Sequence, residues 1–295
     1  MSTKNTIINF IVRIFRVKRV FARLIRDPVR NFHAVSADKF TRSHYRVSEA
    51  EFRGSLILTV FSKTESVRHH IVFLHGGAYV AEASPNHKAL IEKLVKQALA
   101  HVSYIDYPLA PEHSHKETIE VTYEAYKHLV SAHPDHLFFL FGDSAGGGLA
   151  LVLLQKIRDK KELPVPVKSV LFSPWVDISM TNPALREQAE RDLILDLDSL
   201  STAAKKYAGG TDMKAPELSP LYGSMDGLGH LAIFVSKDEL LLPDCRLLGE
   251  ALKRSRSPFE YHEYEHMVHD WIMFNTPESR QALVEIIDFY NEDYT

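Results

Sequence analysis

The sequence is poor in cysteine, in net charge and in long apolar runs. Its one cysteine, Cys245, cannot form an internal disulfide, which favours a reducing compartment and a cytoplasmic protein. The net formal charge is only -3 at pH 7, which argues against a nucleic-acid-binding protein. No stretch approaches the roughly 20 apolar residues of a membrane-spanning helix. What is left is a globular chain of 295 residues, long enough for one large α/β domain.

The small net charge hides an uneven distribution. Residues 1–30 hold eight basic side chains and one acidic side chain, Asp27, so they carry +7 and the remaining chain carries -10. Apolar residues recur there at helical spacing, which predicts a basic amphipathic helix. Two roles stay open: packing against the body as part of a lid, which we favour, or peripheral contact with a membrane. Arg13 interrupts the apolar run too early for a secretory signal.

From residue 55 onward, apolar runs typical of strands alternate with helical patterns. The runs are 55–61, 71–74, 102–107, 136–141, 167–172, 231–235 and 259–264. Their alternation predicts a mostly parallel sheet with helices on both faces, and a ligand site at the carboxyl ends of the strands. Residues 174–217 break the pattern and predict a helical insertion. We expect one domain, 1–295, capped by about 1–45 and 174–217.

The most informative stretch joins the run 136–141 to a helical pattern through Gly142-Asp143-Ser144-Ala145-Gly146. In the order strand, turn, helix, the pattern G-x-S-x-G indicates a nucleophile elbow, in which a strained turn exposes the serine hydroxyl. Glycines on both sides allow strand and helix to approach closely. We therefore expect Ser144 to be a nucleophile.

A second glycine-containing turn follows the run 71–74. Its sequence is His75-Gly76-Gly77-Ala78-Tyr79. Backbone N–H groups just past a strand end can bind the oxyanion of an acyl-transfer reaction, and each donor contributes about 3 kcal/mol to transition-state stabilisation. Without Ser144 nearby, the same residues would indicate a plain turn.

Partners for the serine follow the last two predicted strands. Asp238 comes just after the run 231–235, with Glu239 beside it as the competing choice. His269 is favoured over His266 as the base because it lies farther beyond the last strand. The chain order Ser144, Asp238, His269 is that of an α/β-hydrolase triad, in which the acid orients the histidine.

A zinc motif is the main competing chemistry. Residues 262–266 form a literal H-E-x-x-H, which binds zinc when both histidines lie on one helical face. Here the residues alternate like a strand, so His262 and His266 would not converge. We expect no metal and no cofactor, and Cys245 as a packed thiol.

Several ordered motifs together resemble the hormone-sensitive-lipase-like branch of the α/β-hydrolase family, from about residue 70 to the end. They are His75-Gly-Gly-Ala-Tyr79, Tyr107-Pro-Leu-Ala-Pro-Glu-His113, Gly142-Asp-Ser-Ala-Gly-Gly147, Ser173-Pro-Trp175, and Asp238 followed by His269. The resemblance implies an α/β-hydrolase fold with a helical cap. It also implies Ser144 as nucleophile, His269 as base, Asp238 as orienting acid, and an oxyanion hole of the N–H groups of Gly76, Gly77 and Ala145. His75 and Asp143 support these motifs.

The chain departs from the family pattern at two positions. Ala78 replaces a third glycine, which should be tolerated because only backbone N–H groups act there. Asp270 follows the histidine, and if its carboxylate faces the imidazole it should raise the histidine pKa.

The expected activity is cofactor-free cleavage of small carboxylic esters, of short to medium acyl chains, through an acyl-enzyme. An amidase, deacetylase or lipase would use the same residues, and a binding module on this fold is the non-catalytic alternative. The presence of His269 favours an enzyme. The oligomeric state, including a dimer, stays open.

Overall fold

A computed structural model describes residues 2–30, 33–41, 45–64 and 67–292 of the chain. Within them the chain forms strands β1 Arg46–Phe52, β2 Ser55–Phe61, β3 His69–Leu74, β4 His101–Ile105, β5 Leu137–Asp143, β6 Lys168–Phe172, β7 His230–Ser236 and β8 Phe259–Tyr264. The helices are α1 Thr3–Ile14, α2 Val17–Arg26, α3 Ala37–Thr41, α4 Pro85–Gln97, α5 His115–Ala132, α6 Ala145–Lys160, α7 Leu185–Arg191, α8 Leu197–Ala208, α9 Leu242–Lys253 and α10 Pro277–Asn291. None of the described helices is both long and apolar enough to cross a bilayer.

The strands form one sheet in the order β1-β2-β4-β3-β5-β6-β7-β8. β1 and β2 pair antiparallel, β2 pairs antiparallel with β4, and all other neighbours are parallel. The predicted mostly parallel α/β sheet is therefore confirmed. The carboxyl ends of β3, β5, β6, β7 and β8 lie at one edge, where ligand sites form in such sheets.

Alternation along the central strands divides the apolar core between the two faces of the sheet. In β3, Val72 and Leu74 pack on one face, whereas Ile71 and Phe73 pack on the other. The first face is covered by α5, α6, α8 and α9, and the second by α4 and α10. Because both faces are buried, the central strands are continuous apolar runs.

The basic arm forms two helices rather than the single helix that its periodicity predicts. Arg16, with φ 50°, adopts a left-handed conformation and separates α1 from α2. The second helix contacts α8 of the insertion: Lys206 Nζ donates to the backbone oxygens of Ile25 at 2.9 Å and Arg26 at 2.7 Å. A lysine there satisfies carbonyls at the end of α2 and complements its dipole. Residues 1, 31–32 and 42–44 of the expected cap lie outside the described residues.

Candidate active site

The turn between β5 and α6 holds Ser144 in a backbone conformation of φ 50° and ψ -119°. Three hydrogen bonds fix this strained residue. Its N–H donates to Phe172 O at 2.9 Å, and its carbonyl accepts from the N–H groups of Trp175 at 2.9 Å and Gly148 at 3.1 Å. Such a conformation costs of the order of 1–3 kcal/mol and persists only where the surroundings impose it. The strained turn predicted around Ser144 is therefore present.

The glycines beside Ser144 lie where a side chain has no room. A Cβ on Gly142 would come within 2.3 Å of Gly146 O, and one on Gly146 within 2.1 Å of Leu74 O and 2.5 Å of His75 O. The short distance from Gly146 to the backbone of Leu74 and His75 shows that α6 packs directly against the end of β3. The glycine-containing loop and the serine therefore share one site.

We predict that Gly146→Ala lowers the free energy of unfolding by about 3 kcal/mol or more, because the clash is with backbone that cannot rotate away. Urea denaturation measures this change. Gly249→Ala is the matched control: Gly249 also lies within a helix, α9, and the nearest atoms to its new Cβ would be those of the Tyr261 ring, at 3.4 Å. The control should gain up to about 1 kcal/mol from helix propensity. Equal effects of the two substitutions would contradict this account of the elbow.

His269 lies beside Ser144 at the carboxyl edge of the sheet. Its Nε2 is 2.9 Å from Ser144 Oγ. Ser144 exposes 6% of its surface and His269 4%, so the pair is shielded from bulk water. Nucleophile and base thus stand within hydrogen-bond reach, as general-base activation requires.

The acid that contacts His269 is Glu239, and the prediction of Asp238 is wrong. Glu239 Oε2 is 2.8 Å from His269 Nδ1, and the glutamate is fully buried. Asp238 instead lies nearer the surface, where its Oδ2 is 3.1 Å from Nδ1 of His266. Glu239 is therefore the only one of these two neighbouring acids that contacts the imidazole of His269.

The turn after β7 explains this outcome. The N–H of Ser236 donates to Glu239 Oε1 at 3.1 Å, so the glutamate side chain folds back under the strand end. Two apolar residues, Leu240 and Leu241, follow it into the core, whereas Asp238 follows the half-buried Lys237. This polarity change between 237 and 240 is the signal in the sequence that favours Glu239.

A second carboxylate, Asp270, lies on the other side of the imidazole. Its Oδ2 is 3.1 Å from His269 Nε2, the nitrogen that also faces Ser144. Burial alone would lower the pKa of His269, but the carboxylates of Asp270 and Glu239 outweigh burial and hold that pKa well above its ordinary value. For the acid Glu239 burial acts in the other direction: it raises the pKa of the carboxyl group, and this effect exceeds the lowering by the hydrogen bond from His269. Asp270 therefore favours the protonated histidine, which cannot act as a base.

We predict that Asp270→Asn shifts the acidic limb of the kcat/KM pH profile downward by about one pH unit or more. The neutral amide removes the charge that raises the His269 pKa, so the fraction of neutral imidazole at a given acidic pH increases. Rates measured from pH 5 to 9 test this shift. Asp238→Asn, a control two residues past the end of β7, should leave the limb in place, and an unchanged limb in Asp270→Asn would contradict the assignment.

The loop after β3 is held by Asp143, the residue before the serine. Asp143 Oδ2 accepts the Gly76 N–H at 2.9 Å and contacts His87 Nε2 at 3.1 Å. The prediction of Gly76 as an oxyanion donor is therefore wrong, because its N–H is already bonded. Among the described residues nothing accepts from the N–H groups of Gly77 or Ala78.

Two further residues hold this loop in place: His87, which the sequence did not single out, and Tyr107, the first residue of one of the family motifs. His87, in the first turn of α4, contacts Asp143; burial opposes its protonation, but the Asp143 carboxylate raises the His87 pKa overall. Tyr107 stacks on His75 with ring centroids 4.4 Å apart and donates its hydroxyl hydrogen to His75 O. The supporting roles predicted for His75 and Asp143 thus have a geometric basis.

The zinc motif does not form a metal site. His262 lies within β8 and contacts Glu260 at 3.1 Å, whereas His266 contacts Asp238. Across the part of the chain that the structure describes, no three histidine, cysteine or acidic side chains are arranged to hold a metal ion. Cys245 is buried, as predicted for a packed thiol.

Comparison with known proteins identifies the family of this chain. A family model of the α/β-hydrolase fold matches residues 71–273. An esterase of Acinetobacter venetianus is 32% identical over 244 residues, which cover 81% of this chain and 79% of that protein. An acetyl-hydrolase of Streptomyces hygroscopicus is 33% identical over 216 residues, which cover 72% of each chain.

A solved structure extends the similarity to the whole chain. It is the crystal structure of an esterase from the bacterial hormone-sensitive lipase family, with a TM-score of 0.84 at 25% identity, covering 100% of this chain and 99% of that one. The chain therefore belongs to the α/β-hydrolase family, in its hormone-sensitive-lipase-like branch of esterases and lipases, and is a carboxylesterase/lipase-type hydrolase.

Proposed function

We propose that this enzyme cleaves carboxylic esters of short to medium acyl chains through an acyl-enzyme on Ser144. The observation that carries the proposal is the continuous buried contact from Ser144 Oγ to His269 Nε2 at 2.9 Å and from His269 Nδ1 to Glu239 Oε2 at 2.8 Å. A serine, an imidazole and an acid in this order are the parts of a serine-hydrolase triad. A non-catalytic binding module would have no need of this alignment.

In the proposed mechanism, Ser144 Oγ attacks the ester carbonyl while His269 Nε2 takes its proton. Glu239 stabilises the resulting imidazolium through Nδ1–H and fixes the tautomer with Nε2 free to accept. The imidazolium then gives its proton to the departing alcohol. Water, deprotonated by the same histidine, attacks the acyl carbonyl; the bond to Ser144 Oγ then breaks, the imidazolium returns its proton to that oxygen, and the acid is released.

The oxyanion formed in each step binds to backbone N–H groups. Gly77 and Ala78 supply two donors, and Ala145 supplies a third because the first N–H groups of a helix have no intrahelical acceptor. Support comes from the close approach of the two segments: a Cβ on Gly76 would lie 3.0 Å from Ser144 Cβ. Donors aimed at a developing negative charge contribute about 3 kcal/mol each.

The residues expected to form the cap contact the chain just after the glycine-containing loop. Tyr207 of α8 stacks on Tyr79, just past the oxyanion loop, with ring centroids 3.8 Å apart. Arg30, at the end of the basic arm, donates to Val80 O and to Ala110 O. These contacts support the proposal that the described parts of 1–45, together with 174–217, form a cap on the single domain. The burial of the nucleophile, which is only 6% exposed, favours small acyl groups.

Hydrolysis of p-nitrophenyl esters from acetate to palmitate tests this proposal. We expect kcat/KM to be highest for short to medium chains and to fall by about tenfold or more toward palmitate, because each extra methylene must find space beneath the cap. A rate that rises toward the longest chains would indicate a lipase instead. Turnover of amides but not of esters would move the assignment to an amidase or deacetylase.

A further inference from the structure

The solvent-facing side of α1 is apolar, and part of its body-facing side is polar. Asn5 is buried, and the Nδ2 groups of Asn5 and Asn9 donate to His266 O at 2.8 and 3.0 Å. Ser2 hydrogen-bonds Glu278 of α10 at the start of the helix. The exposed large apolar side chains of this segment are Ile7, Phe10, Ile11, Ile14 and Phe15, between 45% and 70% accessible. A helix that turns so many apolar side chains outward indicates an interaction surface.

The second helix also exposes apolar side chains, and it adds charge. Val20 and Leu24 are exposed at 55% and 38%. Arg16, Arg19 and Arg23 are exposed too, and none forms an ion pair with any acidic side chain in the described part of the chain. The exposed surface of α1 and α2 is therefore apolar and basic together, the combination found in helices that lie in a membrane interface.

We propose that this surface, which we call the arm face, docks on an anionic lipid membrane. The arm carries +7 and the rest of the chain -10, so an anionic surface attracts the arm while it repels the body. A second copy of the chain is a poorer occupant, because a symmetric contact would bring two basic arms together. Apolar side chains then enter the headgroup region while the arginines contact lipid phosphates.

Docking in this way requires no rearrangement of the arm. The contacts that hold α1 and α2 to the body involve other atoms than the exposed apolar side chains: Asn5 bonds His266 O, Ser2 bonds Glu278, and Lys206 bonds backbone oxygens at the end of α2. The arm face is free while those contacts stay in place. The enzyme would therefore bind the membrane as a folded unit, independently of which ester it cleaves.

Sedimentation with lipid vesicles tests the proposal. The probes are pure phosphatidylcholine vesicles and vesicles with about one third phosphatidylglycerol. Full-length protein should bind the anionic vesicles at low ionic strength and bind pure phosphatidylcholine far more weakly, with binding weakened by added salt. The triple variant Ile7→Gln/Phe10→Gln/Ile14→Gln should lose at least about tenfold in partitioning, since three apolar contacts with the acyl boundary are removed.

Two further variants make the outcomes decisive. Leu247→Gln/Val284→Gln removes exposed apolar side chains on α9 and α10 and should bind like wild type. The triple variant Arg16→Gln/Arg19→Gln/Arg23→Gln should lose the preference for anionic vesicles. If the apolar variant has an altered thermal unfolding midpoint, this arginine variant still tests the proposal. Wild type that fails to bind, or an apolar variant that binds equally well, would overturn the proposal. So would light scattering that shows a wild-type dimer converted to a monomer by the apolar variant.

Discussion

Replacing Ser144 with alanine should reduce kcat for ester hydrolysis by about 10⁵- to 10⁶-fold. The substitution removes one oxygen atom, the one that lies 2.9 Å from His269 Nε2 and that forms the acyl-enzyme in the proposed mechanism. Residual catalysis would come only from substrate binding and the oxyanion donors. Steady-state rates with a p-nitrophenyl ester, after purification from any host esterase, measure the loss.

The fold should survive this change, because Ser144 is held by its backbone bonds to Phe172, Trp175 and Gly148 rather than by its hydroxyl. The thermal unfolding midpoint should therefore stay within a few degrees of wild type, for a difference of about 1 kcal/mol or less. Activity within tenfold of wild type in a folded Ser144→Ala protein would remove Ser144 from the mechanism.

Replacing Glu239 with glutamine should reduce kcat by about 10³- to 10⁴-fold. The amide keeps the shape of the side chain but cannot stabilise the imidazolium, and it can donate to Nδ1 and so favour the tautomer with the proton on Nε2. That tautomer cannot accept the Ser144 proton. KM should change little, because the glutamate lies beneath the histidine and away from the substrate.

The neighbouring acid provides the control for this prediction. Asp238→Asn should keep activity within about twofold of wild type, because Asp238 pairs with His266 near the surface rather than with His269. A large loss in Asp238→Asn together with near-wild-type activity in Glu239→Gln would restore the assignment expected from the sequence and contradict the geometry.

The fold was largely predictable because its central strands are buried on both faces. Burial makes these strands continuous apolar runs, which the alternation with helices then orders into a parallel sheet. β1 was not predicted, since Arg46–Phe52 is an edge strand in which exposed polar residues interrupt the apolar ones, so it has no continuous apolar run. The break at Arg16 was also missed, because a left-handed arginine leaves no mark on apolar periodicity.

Only those site residues whose positions are determined by a local turn or by chain order could be predicted from the sequence. Ser144 and His269 follow from motif and chain order, and the structure brings them together. The choice between Asp238 and Glu239 depends on which of these two adjacent side chains the turn after β7 directs toward the core. Tertiary packing determines this direction. His87 could not be found from the sequence because its contact with Asp143 spans two separate elements.

The most direct test of the central claim is to locate the residue that an organophosphate modifies. A fluorophosphonate ester phosphorylates an activated serine, and peptide mass spectrometry identifies the site. We predict one adduct, on the peptide that contains Ser144, formed rapidly in wild type and slowly in Glu239→Gln and His269→Gln. Labelling of a different serine, or equal labelling in Ser144→Ala, would contradict the Ser144–His269–Glu239 triad.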